Sequence, residues 1–350
     1  MEKVFAISIA LLSFVSQAQA DKVDEFIKKQ MVRDHLPGIS IAIIENGKII
    51  KEKGYGIESL ETKKPADAHT LYEIASLGKP IVAVATLKLI ESGRIGLEDP
   101  ISRYVADTPK SWKTITFRSL LSHTSGIKDY VTEIAQSAET ADLAVDEIYH
   151  RMASQPLNFT PGAKYSYSHS NYLILGMILS NRSNRPFIEY LQESIFKPLD
   201  MSETDLKEAL RDSKNFAVGY RFQEGKLVEA EKTPGKFADQ CLASSVDDLA
   251  KFAVALDKGT LLTSEARNLM WSPTVLTDGK KSIYGLGWNT ESLNGHRVIG
   301  HAGSVGGYSA NMTRFPGDKI TVIVLTNQRG VNSFQIVKGI ALLFRPELGQ

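Results

Sequence analysis

Apolar positions along the chain follow two different periods, and these divide it into regions. Lys22 to Asp34 reads as a helix. The stretch GISIAIIENGKIIKEKGYG after it reads as two strands around Glu45-Asn46-Gly47, because Asn-Gly suits a tight primed hairpin turn. A helical period then takes over: Ile81, Val84, Ala85, Leu87 and Ile90 share a face, and Gly93 supplies a stop signal. Pro80 fits only the first turn of that helix, where its missing N–H has no intrahelical partner, so Ser76 lies at the N-terminal end. Helical patterning broken by polar loops, among them LSHTSGIKDY and NFTPGAKYSYSHS, continues to about Leu276. Near the end SIYGLGWNT, HRVIGHAG, GYSANMTRFPG and KITVIVLTNQ read as strands between Gly and Asn turns, and a last helix runs from Val331 to Phe344. No internal repeat interrupts this order. The pattern predicts an α/β sheet layer made from residues 21–70 and 277–350, with a largely helical region, 71–276, inserted between the two halves.

Composition changes this picture little. With 43% hydrophobic and 23% charged residues the chain has ample material for a large core, which excludes a disordered chain. A formal net charge of +1 with dispersed basic residues excludes the basic stripe of a nucleic-acid binder. The first twenty residues combine Lys3, an apolar segment from Val4 to Val15 and an Ala18-Gln19-Ala20 ending. They read as a signal peptide over residues 1–20, cleaved after Ala20, which predicts a periplasmic or secreted protein with no membrane insertion after cleavage. The single cysteine, Cys241, excludes an intramolecular disulfide, and the seven histidines show no His-Glu-x-x-His spacing that would hold a metal.

Candidate chemistry begins at Ser76 and Lys79. A Ser-x-x-Lys tetrapeptide alone is a weak signal, since serine also favours helix starts. Its place at a helix N-terminus gives it meaning, because free backbone N–H groups and the positive dipole end there stabilise an oxyanion formed by attack of Ser76 on a carbonyl. A lysine three residues on shares the serine's face and can take its proton if its amine is held neutral. Such a site requires a second proton-transfer group and a backbone donor opposite the helix. Tyr167, in a polar loop before an apolar helix, is a candidate for the first, with a packing tyrosine as the alternative. His301-Ala302-Gly303 is a candidate for the second, where glycine permits close approach to the backbone.

The order of these segments resembles the serine β-lactamase-like family, which contains class C β-lactamases, penicillin-binding D-Ala-D-Ala carboxypeptidases, D-aminopeptidases and β-lactamase-fold esterases. Ser76-Leu77-Gly78-Lys79 stands for the family's Ser-x-x-Lys, Tyr167-Ser168-His169 for its Tyr-x-Asn, and His301-Ala302-Gly303 for its Lys-Thr-Gly or His-x-Gly. GRIGLEDPISRYV, ITFRSLLSHTSGI, IFKPLDMSETDL, SSVDDLAKFAVAL and YGLGW are also similar to family segments, so the resemblance covers residues 25–345. It implies a five-stranded antiparallel sheet flanked by helices, a largely helical second domain, and a cleft between them. It further implies Ser76 as the acylated nucleophile, Lys79 as its proton partner, and Tyr167 as the group serving the leaving group or the deacylating water. His169, His301, Gly303 and Ser304 would bind substrate, with the backbone N–H groups of Ser76 and Ser304 as the oxyanion hole. No cofactor or metal is implied.

Three departures from the family pattern stand out. His169 replaces the usual Asn, Gly78 replaces a Thr or Ser, and Asp239-Gln240-Cys241-Leu242 replaces a small Ala-Gly-Gly-Leu stretch. Cys241 reads as either a buried residue or part of a cleft wall. His123, in SHTSG, invites a triad with Ser76, but in similar sequences it belongs to a structural turn. The expected function is an exported serine hydrolase acting on a small-molecule or short peptide substrate, whether ester, small amide or D-amino-acid peptide. A class C-like β-lactamase and a penicillin- or peptide-binding module with vestigial hydrolysis are the alternatives. Sequence names neither the substrate nor the oligomeric state.

Overall fold

The computed structural model describes residues 22–134, 143–231 and 242–350. The leader reading and Asp239, Gln240 and Cys241 lie outside them.

Helix α1 covers residues 22–34 and leads into strands β1 (Gly38–Glu45) and β2 (Lys48–Gly56). The turn between them has positive φ at both Asn46 (52°) and Gly47 (70°), the conformation that Asn-Gly tolerates. Helix α2 (Gly78–Glu91) follows and stops at Ser92, with Gly93 left-handed beyond it. Helices α3 (His169–Ser183) and α4 (Val246–Lys258) are the other long helices of the middle region. Four strands, β3 (Asn289–Leu293), β4 (His296–Val305), β5 (Tyr308–Phe315) and β6 (Ile320–Thr326), then lead to α5 (Ser333–Phe344), whose first turn is capped by the Asn332 side chain.

The strands form one antiparallel sheet in the order β2-β1-β6-β5-β4-β3. The two ends of the chain meet in its centre, with Ile41 opposite Val324 and Ile43 opposite Val322. β1 and β6 are buried on both faces, which explains their near-continuous apolar sequences, GISIAIIE and ITVIVLT. Alternation sorts their side chains. Ile39, Ile41, Ile43, Val322 and Val324 pack with Val23 and Ile27 of α1 and with Ile336, Val337 and Ile340 of α5. Ala42, Ile44, Ile323 and Leu325 face the larger core, which includes most of α2 and α4. Each fully buried aliphatic side chain contributes roughly 1.5–3 kcal/mol. Slipping the register of β1 by one residue would exchange these two faces.

Three expectations are corrected. The sheet has six strands where the resemblance implied five. SIYGLGWNT becomes a strand only at Asn289, because Gly285 and Gly287 serve close packing; a Cβ on Gly285 would lie 2.4 Å from the Met270 carbonyl oxygen. The middle region also carries strands, a three-stranded sheet of Tyr72–Glu73, Leu242–Ser244 and Asp205–Leu206, and a hairpin of Tyr220–Gln223 with Lys226–Glu229. Among the described residues no helix is long and apolar enough to cross a membrane.

Candidate active site

Ser76 lies in a single 3-10 turn, Ala75–Leu77, leading directly into α2. The preceding residue, Ala75, has φ 47°, a left-handed conformation that costs a non-glycine residue roughly 1–3 kcal/mol, and it sits beside the proposed nucleophile. From Leu71 to Ile81 every residue except Ser76 is buried. Lys79, on the first turn of α2, is fully buried, and its Nζ lies 3.1 Å from Ser76 Oγ. The same ammonium lies 4.8 Å from the ring centre of Tyr167 and 5.3 Å from that of Tyr172. Spacing along one helical turn brings Ser76 and Lys79 together, whereas Tyr167 arrives from a distant loop.

That loop is held by its neighbours. His123, fully buried at φ 56°, accepts the Ser168 N–H on Nδ1 (3.2 Å), and its ring lies 4.3 Å from that of Tyr167. Asn171 Nδ2 also reaches His123 Nδ1 (3.1 Å). Burial, reinforced by the charge of Lys79, holds this imidazole well below its usual pKa. His123 is therefore an aromatic support behind Tyr167 and not the base of a triad with Ser76.

At the start of α3, His169 turns away from a direct replacement of an asparagine amide. Its Nδ1 donates to the Asp129 carboxylate (3.0 Å), and Asp129 Oδ1 also accepts the backbone N–H groups of Val131 (3.1 Å) and His169 (3.2 Å). Burial works to raise the Asp129 carboxyl, but the His169 bond and these backbone donors outweigh it and hold the group below the usual carboxylate range. His169 keeps an edge-on contact with Tyr167, their ring centres 5.3 Å apart.

His301 corrects one expectation. It is 4% exposed, with Nδ1 donating to the Ala302 carbonyl (2.8 Å) and Nε2 accepting from the Tyr284 hydroxyl (2.9 Å). A carbonyl can only accept, which fixes the tautomer. Burial and the charge of Lys79 push the imidazole down to about 3, so it is neutral at ordinary pH. Both ring nitrogens are engaged inside the protein, and His301 shapes the cleft wall without a free donor for a substrate.

Gly303 is explained by contact. A Cβ there would stand 2.1 Å from the Ile74 carbonyl oxygen and 3.0 Å from the Leu77 nitrogen, so only glycine lets β4 lie against the turn carrying Ser76. The pairing with β3 stops where Asn289 meets Gly300, so among the described residues no strand pairs with 301–305 of β4 on that side. On the other side the Gly306-Gly307 turn joins Val305 to Tyr308. Ladder bonds alternate along a strand, so with Val305 turned toward β5 the Ser304 N–H points to the open edge that faces Ser76.

Ser76, Tyr167, His301, Gly303 and Ser304 line one cleft of about 410 Å³, together with Tyr165 and Asn289, whereas Lys79 and His169 stand behind its surface. Asp129 and Tyr284 were missed by sequence reasoning. Tyr284 lies inside YGLGW, whose family likeness was legible, and Asp129 lies two residues past the similar segment ITFRSLLSHTSGI, but nothing in that text shows that Tyr284 holds His301 or that Asp129 orients His169.

The chain matches the family model described as Beta-lactamase over residues 23–343. It is similar to protein flp of Staphylococcus aureus (strain NCTC 8325 / PS 47), with 30% identity over 320 residues, 87% of this chain and 62% of that protein. The chain thus spans less than two thirds of that relative's length. Among solved structures it is similar to the octameric penicillin-binding protein homologue from Pyrococcus abyssi, with TM-score 0.83 and 30% identity over 95% of this chain and 78% of the other. A D-stereospecific amidohydrolase from Streptomyces sp., with TM-score 0.75 and 23% identity over 89% of this chain and 94% of the other, shares the fold.

Proposed function

We propose, from the premise that this chain belongs to the beta-lactamase family and is a serine hydrolase in kind, that it is an exported enzyme forming a covalent acyl-enzyme on Ser76. The observation that carries this reading is the 3.1 Å contact between Ser76 Oγ and a fully buried Lys79 at the start of α2. In the reactive state Lys79 is neutral and takes the Ser76 proton as Oγ attacks the substrate carbonyl carbon. The oxyanion that forms is received by the backbone N–H groups of Ser76 and Ser304. As the tetrahedral intermediate collapses, Tyr167 passes a proton to the leaving alcohol or amine, and the acyl group stays on Ser76. Water, activated along the same route, then releases the acid.

Esters, small amides and D-amino-acid peptides are the proposed substrates, and two features favour the neutral ones among them over β-lactam antibiotics. His301 stands where β-lactamases of the family carry a lysine, and it is neutral. Its ring nitrogens are also turned into the protein, so the third motif supplies no fixed cation for an antibiotic carboxylate. Intact-protein mass spectrometry after exposure to p-nitrophenyl esters, penicillin and D-alanyl peptides tests the reading. An acyl adduct that maps to Ser76 and turns over is the expected result. A Ser76 that acquires no adduct from any of the three would overturn it.

A further inference from the structure

A concavity that the chemistry above leaves unused, about 460 Å³, lies between the β1–β2 turn, the β5–β6 turn and the C-terminal end of α4. Its volume is that of ordinary small-molecule sites. Ser309 of β5 lines the catalytic cleft and Phe315 of the same strand lines this cavity. Six residues of extended chain separate them, about 20 Å.

The charge of this cavity is lopsided. Lys48, Lys258 and Lys319 stand around it, and among the described residues none of the three has an ion-pair partner. Its one lining carboxylate, Asp257, is taken by the buried Arg314. The nearby carboxylates are committed elsewhere, Glu45 to Arg345 and Asp318 to His296. Among its aromatic and apolar lining residues Trp271 keeps a partly exposed face, 9%, whereas Phe315 and Ile320 are turned into the core beneath α1 and α5. The Arg314 guanidinium sits 4.9 Å from the Trp271 ring centre, and among the described residues the buried Trp271 indole N–H has no hydrogen-bond partner. A buried donor left unpaired costs about 1–3 kcal/mol, which an acceptor placed there would relieve.

We propose that this cavity is a second, non-catalytic binding site for a small aromatic anion, whose ring lies against Trp271 and whose acidic group is held by Lys258 and Lys319. Its occupant need not be a substrate of the distant serine.

The test uses the full-length protein and 1-anilinonaphthalene-8-sulfonate, an aromatic sulfonate whose fluorescence rises on transfer from water. Saturable binding with one-to-one stoichiometry is expected, weakening as salt screens the rim. Lys258→Glu combined with Lys319→Glu should raise Kd at least tenfold with an unchanged melting temperature, since both lysines are on the surface. Trp271→Phe, which keeps an aromatic floor but removes the indole N–H, should raise Kd severalfold. Prior acylation of Ser76 should leave binding intact. A Kd within twofold of wild type in the charge-reversed protein, or loss of binding on acylation of Ser76, would overturn the proposal.

Discussion

At the scale of single residues the site is an amine buried among rings. Lys79 is fully buried beside Ser76, and its surroundings are the rings of Tyr167 and Tyr172 together with two imidazoles that burial keeps neutral. Ser76→Ala should abolish turnover and leave the fold intact, because the hydroxyl alone is the attacking atom; activity above a few per cent of wild type in a contamination-free assay would remove Ser76 from the mechanism. Lys79→Ala should slow acylation by roughly the 10²- to 10⁴-fold that a lost general base costs, read as the rate of adduct formation by rapid-quench mass spectrometry. The third expectation concerns substrate. With His301 neutral, short-chain p-nitrophenyl esters at pH 8 should show a higher kcat/KM than any penicillin or cephalosporin. Equal efficiency toward a cephalosporin would return the protein to the β-lactamase reading.

At the scale of elements, catalysis depends on how closely β4 lies against the turn before α2. Gly303→Ala places a methyl group 2.1 Å from a backbone carbonyl, which must move. Overpacking of this kind costs about 1–3 kcal/mol. Misplacing a reacting group by ~1 Å costs about 10²-fold in rate, so ester turnover should fall far more than the melting temperature does. A Gly303→Ala protein with wild-type turnover would separate the strand from the oxyanion hole. Several elements were legible beforehand, each for a local reason. The Asn46-Gly47 turn, the Gly93 stop and the early Pro80 are governed by backbone dihedrals that neighbouring residues set for themselves. SIYGLGWNT was misread as a strand because its apolar text matches one, while its glycines answer to contacts with Met270 and Ala83, remote in sequence.

At the scale of the whole molecule, burying histidines couples stability to pH. The folded-state pKa of His301 is depressed to about 3 against an ordinary 6.5, by burial first and by Lys79 second, so between those values the unfolded chain binds the extra proton. Its contribution is complete above pH 6.5 and declines as the pH falls toward 3. Lowering the pH from 6.5 to 5 should cost roughly 2 kcal/mol from His301 alone, with His123 acting in the same direction. Urea unfolding at pH 7 and pH 5 checks this, and His301→Gln should flatten the difference. A wild-type midpoint that does not move between the two pH values would contradict the assigned burial.

What the sequence determined by itself is what short-range spacing controls. Ser76 and Lys79 share a face because one helical turn separates them, and the two ends of the chain form strands because their short runs of β-branched residues and the turns that bound them are local. The tertiary structure alone decided which groups those residues meet. It laid β4 against the nucleophile turn, put Asp129 on His169, gave both nitrogens of His301 to Ala302 and Tyr284, and packed His123 behind Tyr167. Periodicity tells a residue which face it occupies. Charge state and hydrogen-bond direction depend on desolvation and on partners tens to hundreds of residues away, and these exist only once the core has closed.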